Sequence, residues 1–335
     1  MENLLQRIKK NLELCLFDEN LEKKTLKNKE KSSSKVIVCV SGGCDSVALL
    51  HLLHKLSKLL FLELHILHFN HQLRSDSDQE QRFVKNLAEN LQLPFYSKKS
   101  NEFFHGHSGF QELARKWRIK ESHNLLERLE GDYIATAHHA DDQIETLLLK
   151  ILRGVHISKL HGMSWKALPF IRPLLNFKKS ELQDYLKSNN LNWMEDSSNK
   201  SPKYLRNRVR RELIPLLEEL TREGLQNRIF DLTNQSKILR KWLESSYFEW
   251  NKNKVKKVKN ANEILYLSEL NKVDKILKEE IIYNFIFDST GHALSYRNLL
   301  KIFDLIRTKN ASWEFHLTGD FKIMFSSGEF RIKKQ

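Results

Sequence analysis

The run VIVCV-SGGCDS-VALLHLLHKLSKLLF, from Val36 to Phe61, constrains this chain more than any other stretch. A short β-branched run predicts a buried strand, and the apolar residues after it predict a helix that covers a sheet. Between them, Gly42 and Gly43 lack a Cβ, so the backbone can turn tightly and approach a ligand closely. A helix starting there offers free N–H groups and the positive end of its dipole to an anion. Ser41 and Ser46 add hydroxyls. Asp45 would repel a phosphate, so it reads as an N-cap acceptor or as a ligand to Mg2+ bridging the phosphates. The loop has no G-x-x-x-x-G-K-[ST] lysine and no G-x-G-x-x-G spacing. A simple strand–turn–helix cap with no ligand is the plain alternative.

The pattern repeats downstream. ELHILHFN (63–70) predicts a second strand, 76–93 a helix ending before Pro94, and PFYSKK a third strand. Residues 109–131 predict a helix stopped by Gly131, DYIATAHH a fourth strand, and 141–154 a helix ended by Gly154. Strands alternating with helices imply an α/β fold with a parallel sheet and right-handed crossovers. Before it, 1–20 read as an amphipathic helix and 21–35 as a polar linker. After it come a helix over 179–189, helices over 216–250 and 271–287, and strands WEFHL, FKIMF and EFRIKK. The expected domains are 1–35, a catalytic domain over 36–215, and a smaller helical or α+β C-terminal region over 216–335.

Charge narrows the partners. Lys and Arg number 56 against 42 Asp and Glu, a net +14, which favours a polyanion because each neutralised phosphate releases counterions. A solvated lysine-rich surface is the bland equivalent, and the same two readings apply to the lysine run 251–260. Cys15, Cys39 and Cys44 form no C-x-x-C pair, so neither a disulfide framework nor a cysteine-rich metal site is expected. No apolar run approaches a membrane span, and the N-terminus lacks a secretory or transit signature. The expected location is the bacterial cytosol, or plastid stroma for an organelle-encoded gene; no membrane partner is expected.

Several polar groups fall where open α/β sheets bind ligands, at the C-terminal ends of strands. His68, His71, His138 and His139 lie there, and His68 and His138 read as pocket residues near a nucleotide rather than as zinc ligands. Asp142 and Glu145 are three apart at the start of a helix, hence on one side. They can serve as a capping box, or hold an ammonium and accept its proton. Arg206, Arg208, Arg210 and Arg211 cannot all face one way on a helix; some reach phosphate and others pair with acids such as Glu195 or Asp196.

S-G-G-x-D-S after the first strand, with HFNHQLR (68–74), ARKWR (114–118), TAHHADDQIET (136–146), LRG (152–154), IRPLL (171–175), WMEDSSN (193–199) and RNRVRRELIP (206–215), closely resembles the tRNA(Ile)-lysidine synthetase family of PP-loop ATP pyrophosphatases. The resemblance covers about 36–215 and is weak after 220. It implies an enzyme that adenylates O2 of the wobble cytidine in the CAU-anticodon isoleucine tRNA. L-lysine then displaces AMP, switching decoding from AUG to AUA. It also implies ATP bound by Ser41, Gly42, Gly43, Cys44, Asp45, Ser46, His68 and His138, with Mg2+ at Asp45. Asp142, Glu145, Arg115 and Arg206 take the catalytic and lysine-binding roles, and Arg118, Arg208, Arg210 and Arg211 the tRNA. Oligomeric state stays open, with a homodimer as one form. The alternatives are a sulfur-inserting PP-loop tRNA thiolase, which would need catalytic cysteines or a cluster, and a non-catalytic tRNA-binding protein.

Overall fold

The computed structural model describes residues 2–16, 33–70, 72, 77–100, 110–195, 205–222, 224–252, 264–308, 312–317 and 319–334. His71, Asp196, the tail of the WMEDSSN motif and lysines 254–259 lie outside the described residues. The chain divides into two compact units. The first is Met1–Ile144 with Met163–Arg208, the second Glu145–Gly162 with Val209–Gln335. No helix of the described residues is long and apolar enough to cross a membrane.

The first unit is built on β1 (Ser34–Cys39), β2 (Leu62–Asn70), β3 (Phe95–Lys99), β4 (Tyr133–Ala135), β5 (Lys166–Ala167) and β6 (Phe170–Ile171). They form one sheet in the order β3-β2-β1-β4-β6-β5, parallel throughout except for β5 against β6. Because strand side chains alternate between faces, β1 feeds two cores. Val36 and Val38 join Leu49, Leu53 and Ile66 on one side; Ile37 joins Leu67, Leu125 and Ile134 on the other. A strand buried on both faces needs an unbroken apolar run, which is why VIVCV carries no alternation. Helices α2 (Cys44–Ser57), α3 (Ser77–Asn90), α4 (Phe110–Arg128) and α6 (Lys179–Ser188) complete the layers, with α5 (Ala140–Leu152) running from the first unit into the second.

The N-terminal helix α1 (Glu2–Leu16) belongs to the core of this unit. Ile8, Leu12 and Cys15 are fully buried in it. Asn11 Nδ2 donates to the Pro173 carbonyl and to Asn176 Oδ1, both at 2.8 Å. Arg7 pairs with Glu181 at 2.5 Å and stacks 4.3 Å over the Phe177 ring. The turn it grips also supports α5, since the Phe177 carbonyl accepts from the Ala140 N–H.

In the second unit, a π-helical turn (Val209–Leu213), continuing the short α7 (Leu205–Arg208), leads into α8 (Ile214–Leu220) and α9 (Leu225–Lys252). Sequence periodicity suggests one helix over 216–250; the structure breaks it at 221–224. There the Thr221 hydroxyl bonds back to the Leu217 carbonyl at 2.6 Å, a competition with the helix backbone that favours an end. Next come β7 (Leu265–Tyr266), α10 (Leu267–Leu270), α11 (Lys275–Thr290) and α12 (Tyr296–Thr308), the last unmarked in the sequence reading. Strands β8 (Trp313–His316), β9 (Phe321–Ser326) and β10 (Glu329–Lys334) join β7 in an antiparallel sheet ordered β7-β10-β9-β8. Ile282, Leu299, Ile323 and Phe330 form its core.

A buried polar hub sits in this unit. His156 and Ser158, in the loop after α5, meet Glu279 and Glu280 of α11; Ser158 Oγ donates to Glu280 at 2.8 Å and His156 Nε2 lies 3.2 Å from Glu279.

Candidate active site

The chain winds from β1 to β2 to β3 in one direction, then returns to place β4 on the far side of β1. Open α/β sheets bind ligands at such a reversal, outside the strand ends. Two connections leave the sheet there, the loop after β1 and the segment 136–139 after β4.

The first loop is knotted by its own serines. Ser46 Oγ donates to the Gly43 carbonyl at 2.9 Å and receives the Ser41 N–H at 3.2 Å. Gly42 has φ +97°, and a Cβ added there would lie 3.5 Å from Phe83 and Val84. Its carbonyl accepts from the Met194 N–H at 2.9 Å, so the WME segment closes on the loop. Among the described residues, the N-cap Gly43 of α2 supplies no side-chain cap, and a helix start of this kind can take an anion. Cys44 is buried, and burial, then the Asp45 charge, push its thiol up to about 12. It stays a neutral thiol at neutral pH.

His68 stands at the end of β2. Its Nδ1–H donates to the Val40 carbonyl at 2.9 Å, and burial pulls its pKa below the ordinary histidine value. The ring is therefore neutral, with Nε2 the acceptor, and that atom is buried without a hydrogen-bond partner among the described residues.

After β4, Thr136 Oγ1 lies 2.9 Å from His138 Nδ1. Burial lowers His138 to about 4 against the pull of Asp142, while Arg172, Arg206 and His139 push it further down. His139 behaves oppositely. It is 3 % exposed, yet its Nδ1 is 3.0 Å from Asp141 and its Nε2 is 3.5 Å from Asp45 and 3.6 Å from Asp142. Burial would lower its pKa, but the bonds to Asp141 and Asp45 and the nearby carboxylates lift it to about 10. Asp141 also accepts the Lys179 N–H at 2.9 Å and is held below the usual carboxylate value.

Helix α5 starts at Ala140, so Asp142 is its third residue; its Oδ2 accepts from the His139 N–H at 3.0 Å. Asp142 does cap the helix, but from inside its first turn rather than as the N-cap of an Asp142/Glu145 box. Its other oxygen lies 3.8 Å from Arg206. The first unit thus gathers Ser41–Ser46, His68, His138, Asp142 and Arg206 at its strand ends. Arg115 and Arg118 are exposed on α4, with the Arg115 charge felt by Arg172; Arg208 is exposed on α7. In the second unit Glu145 is completely buried and receives Arg210 Nε, while Arg211 is exposed on the π-helical turn.

The sequence marked His139 only as one of four strand-end histidines and pointed to no role for Arg172 or Met194. The signal for His139 was available: a histidine followed by acids at +2 and +3 can fold back on both of them as a helix begins. Arg172 and Met194 lie inside the IRPLL and WMEDSSN motifs, which carry the family resemblance without singling out either residue.

A loop of this kind at a switch point defines a PP-loop ATP-binding domain, and a model of the PP-loop domain matches residues 17–217. Among relatives, a tRNA(Ile)-lysidine synthase of Petrotoga mobilis is 37% identical over 189 residues, covering 56% of this chain and 61% of that protein. A Rickettsia bellii tRNA(Ile)-lysidine synthase is 42% identical over 186 residues, 54% of this chain and 42% of that one. The chain therefore spans about two-fifths to three-fifths of the length of these two. A Streptococcus sanguinis tRNA(Ile)-lysidine synthase is 32% identical over 327 residues, 94% of this chain and 69% of its own. The chain belongs to the tRNA(Ile)-lysidine synthase family of PP-loop proteins. Its fold is also that of the U34-tRNA thiolase NcsA of Methanococcus maripaludis, with TM-score 0.54 at 15% identity over 71% of this chain and 78% of that one.

Proposed function

We propose that this chain joins L-lysine to C2 of the wobble cytidine, C34, of the CAU-anticodon isoleucine tRNA. The observation that carries the reading is the pairing of a phosphate loop with a carboxylate, Asp142, across one switch point. The cytosine O2 attacks the α-phosphorus of ATP, and pyrophosphate leaves. The ε-amine of lysine then attacks C2, the C–O bond breaks, AMP departs, and the amine loses its proton. Adenylation turns a poor leaving oxygen into a good one, and holding both partners on one surface supplies effective concentration.

The loop's N–H groups and the start of α2 hold the phosphates. His68, fixed as an acceptor at Nε2, suits a donor on the base or sugar. Neutral His138 can lend a hydrogen bond without adding charge. Asp142, with 13% of its side chain exposed, is the base that receives the amine's proton, and Arg206 beside it balances charge as AMP leaves. Glu145 and Arg115 support this set, while Arg118, Arg208, Arg210, Arg211 and the region 216–335 take the tRNA. Asp45 is a hard oxygen donor with 27% side-chain exposure and fits a Mg2+ ion, which uses one or two carboxylates and completes its shell from substrate phosphates. Held there, such an ion would neutralise phosphate charge.

The test is nucleoside mass analysis of isoleucine tRNA incubated with the protein, ATP and lysine. Lysidine at position 34 is the expected product; unmodified C34 on tRNA that binds well would overturn the reading. A second expectation concerns the loop. Gly42→Ala forces an L-residue into left-handed backbone at a cost of about 1–2 kcal/mol, so ATP affinity by titration calorimetry should fall roughly tenfold.

A further inference from the structure

His139 has no part in the scheme above, yet its ring lies against three carboxylates at the switch point. It lies in the connection between β4 and α5, almost wholly buried. Each ring nitrogen faces acid. Nδ1 is 3.0 Å from Asp141 Oδ2, and Nε2 stands between Asp45 Oδ2 at 3.5 Å and Asp142 Oδ2 at 3.6 Å. The backbone N–H of the same residue donates to that Asp142 oxygen at 3.0 Å. Asp45 belongs to the first turn of α2 and Asp142 to the first turn of α5. Asp141, on the opposite ring edge, is pinned to the start of α6 by the Lys179 N–H. Three helix starts therefore converge on one imidazole.

The arrangement has a physical logic. Like-charged carboxylates brought together repel, and more strongly where water is excluded. A flat ring with donors on two edges can hold them at a defined spacing, which a flexible lysine could not do. We infer that His139 is a positioning residue whose ring ties the loop carboxylate Asp45 to the amine-facing carboxylate Asp142, registering the phosphate side of the site against the nucleophile side. The inference rests on the reaction proposed above. It differs from mere charge neutralisation in the core, for which the edge carrying each donor would not matter.

Two substitutions separate the edges. His139→Asn places an amide near Nδ1, keeping the Asp141 bond and surrendering the reach to Asp45 and Asp142. His139→Gln reaches the Nε2 side and surrenders Asp141. Both remove the ring and its charge. With the full chain, pyrophosphate release and lysidine formation are measured against ATP and lysine concentration, with ATP affinity by calorimetry and thermal unfolding alongside. The Asn variant is expected to lose kcat roughly 10- to 100-fold, since displacement by about an ångström costs up to that much, and to raise the KM for lysine. The Gln variant should keep most of its turnover at a similar loss of Tm. Equal turnover in the two, greater activity in the Asn variant, or losses that simply track Tm would overturn the inference. If neither variant folds, Asp141→Ala removes the acceptor at Nδ1 and leaves the ring present but unanchored; it should lower kcat and raise the lysine KM, and unchanged values would overturn the inference. A wild-type chain that binds ATP yet makes no lysidine defeats the reaction, not the clasp. The clasp is then judged on ATP affinity, weakened by Asn and kept by Gln if it holds, equal in the two if it does not.

Discussion

Asp142→Asn is expected to lower lysine-dependent turnover by roughly 100- to 10,000-fold, the range that loss of a positioned general base covers. The substitution is nearly isosteric, and an asparagine oxygen can still accept the His139 N–H that Asp142 takes at 3.0 Å. The start of α5 should survive. What disappears is the charge beside Arg206 and the lone pair that receives the amine's proton. Pyrophosphate release should fall less than lysidine formation, because adenylation precedes the amine. Filter binding should give an unchanged affinity for tRNA. Lysidine formation at the wild-type rate would remove Asp142 from the chemistry.

The largest expected loss of stability lies in the second unit, at the hub. Glu280 is 1% exposed and takes Ser158 Oγ at 2.8 Å, Asn284 Nδ2 at 3.2 Å and the Lys159 ammonium at 3.1 Å. Lys159 also lies 4.6 Å over the Tyr283 ring. Lys159→Met preserves most of the side-chain volume and removes the charge. Taking one partner from a buried ion pair costs about 3–5 kcal/mol, because the other charge stays buried; with Lys159 23% exposed, the lower end applies. Urea denaturation followed by the fluorescence of Trp250 and Trp313 reads this unit. Glu280→Gln on top of Lys159→Met should recover part of the loss. An unshifted midpoint would mean that hydroxyl and amide carry the carboxylate unaided.

Much of the first unit was legible because its signals are local. VIVCV gave β1, ELHILHFN matched β2 almost residue for residue, and the α5 and α6 readings fall within two residues of the observed ends. DYIATAHH was overread as a strand. The strand itself is Tyr133–Ala135; the Thr136 N–H still donates to the Ile171 carbonyl at 3.0 Å, and the chain then enters the helix starting at Ala140. The tiny β5 and β6 left no periodic trace, and α12 went unassigned although YRNLLKIFDLIRT holds neither Gly nor Pro. At the site, the loop was readable as a motif, but the partnerships were not. His139 meets Asp45 across 94 positions, and Glu145 meets Arg210 across 65. Spacing along a chain speaks to neighbours on one helix face and is silent about such distant pairs.

The grip of α1 has a consequence for the order of events during synthesis. Arg7 and Asn11 find their partners 162 to 174 residues further on. A helix made that much earlier than its partners must wait, with Ile8 and Leu12 uncovered, until Pro173 and Glu181 have been made. At ~5–20 residues per second that delay is on the order of ten to thirty seconds. The earlier segment is thus fastened by the later one, and α5, steadied by the same turn, gains that support only then.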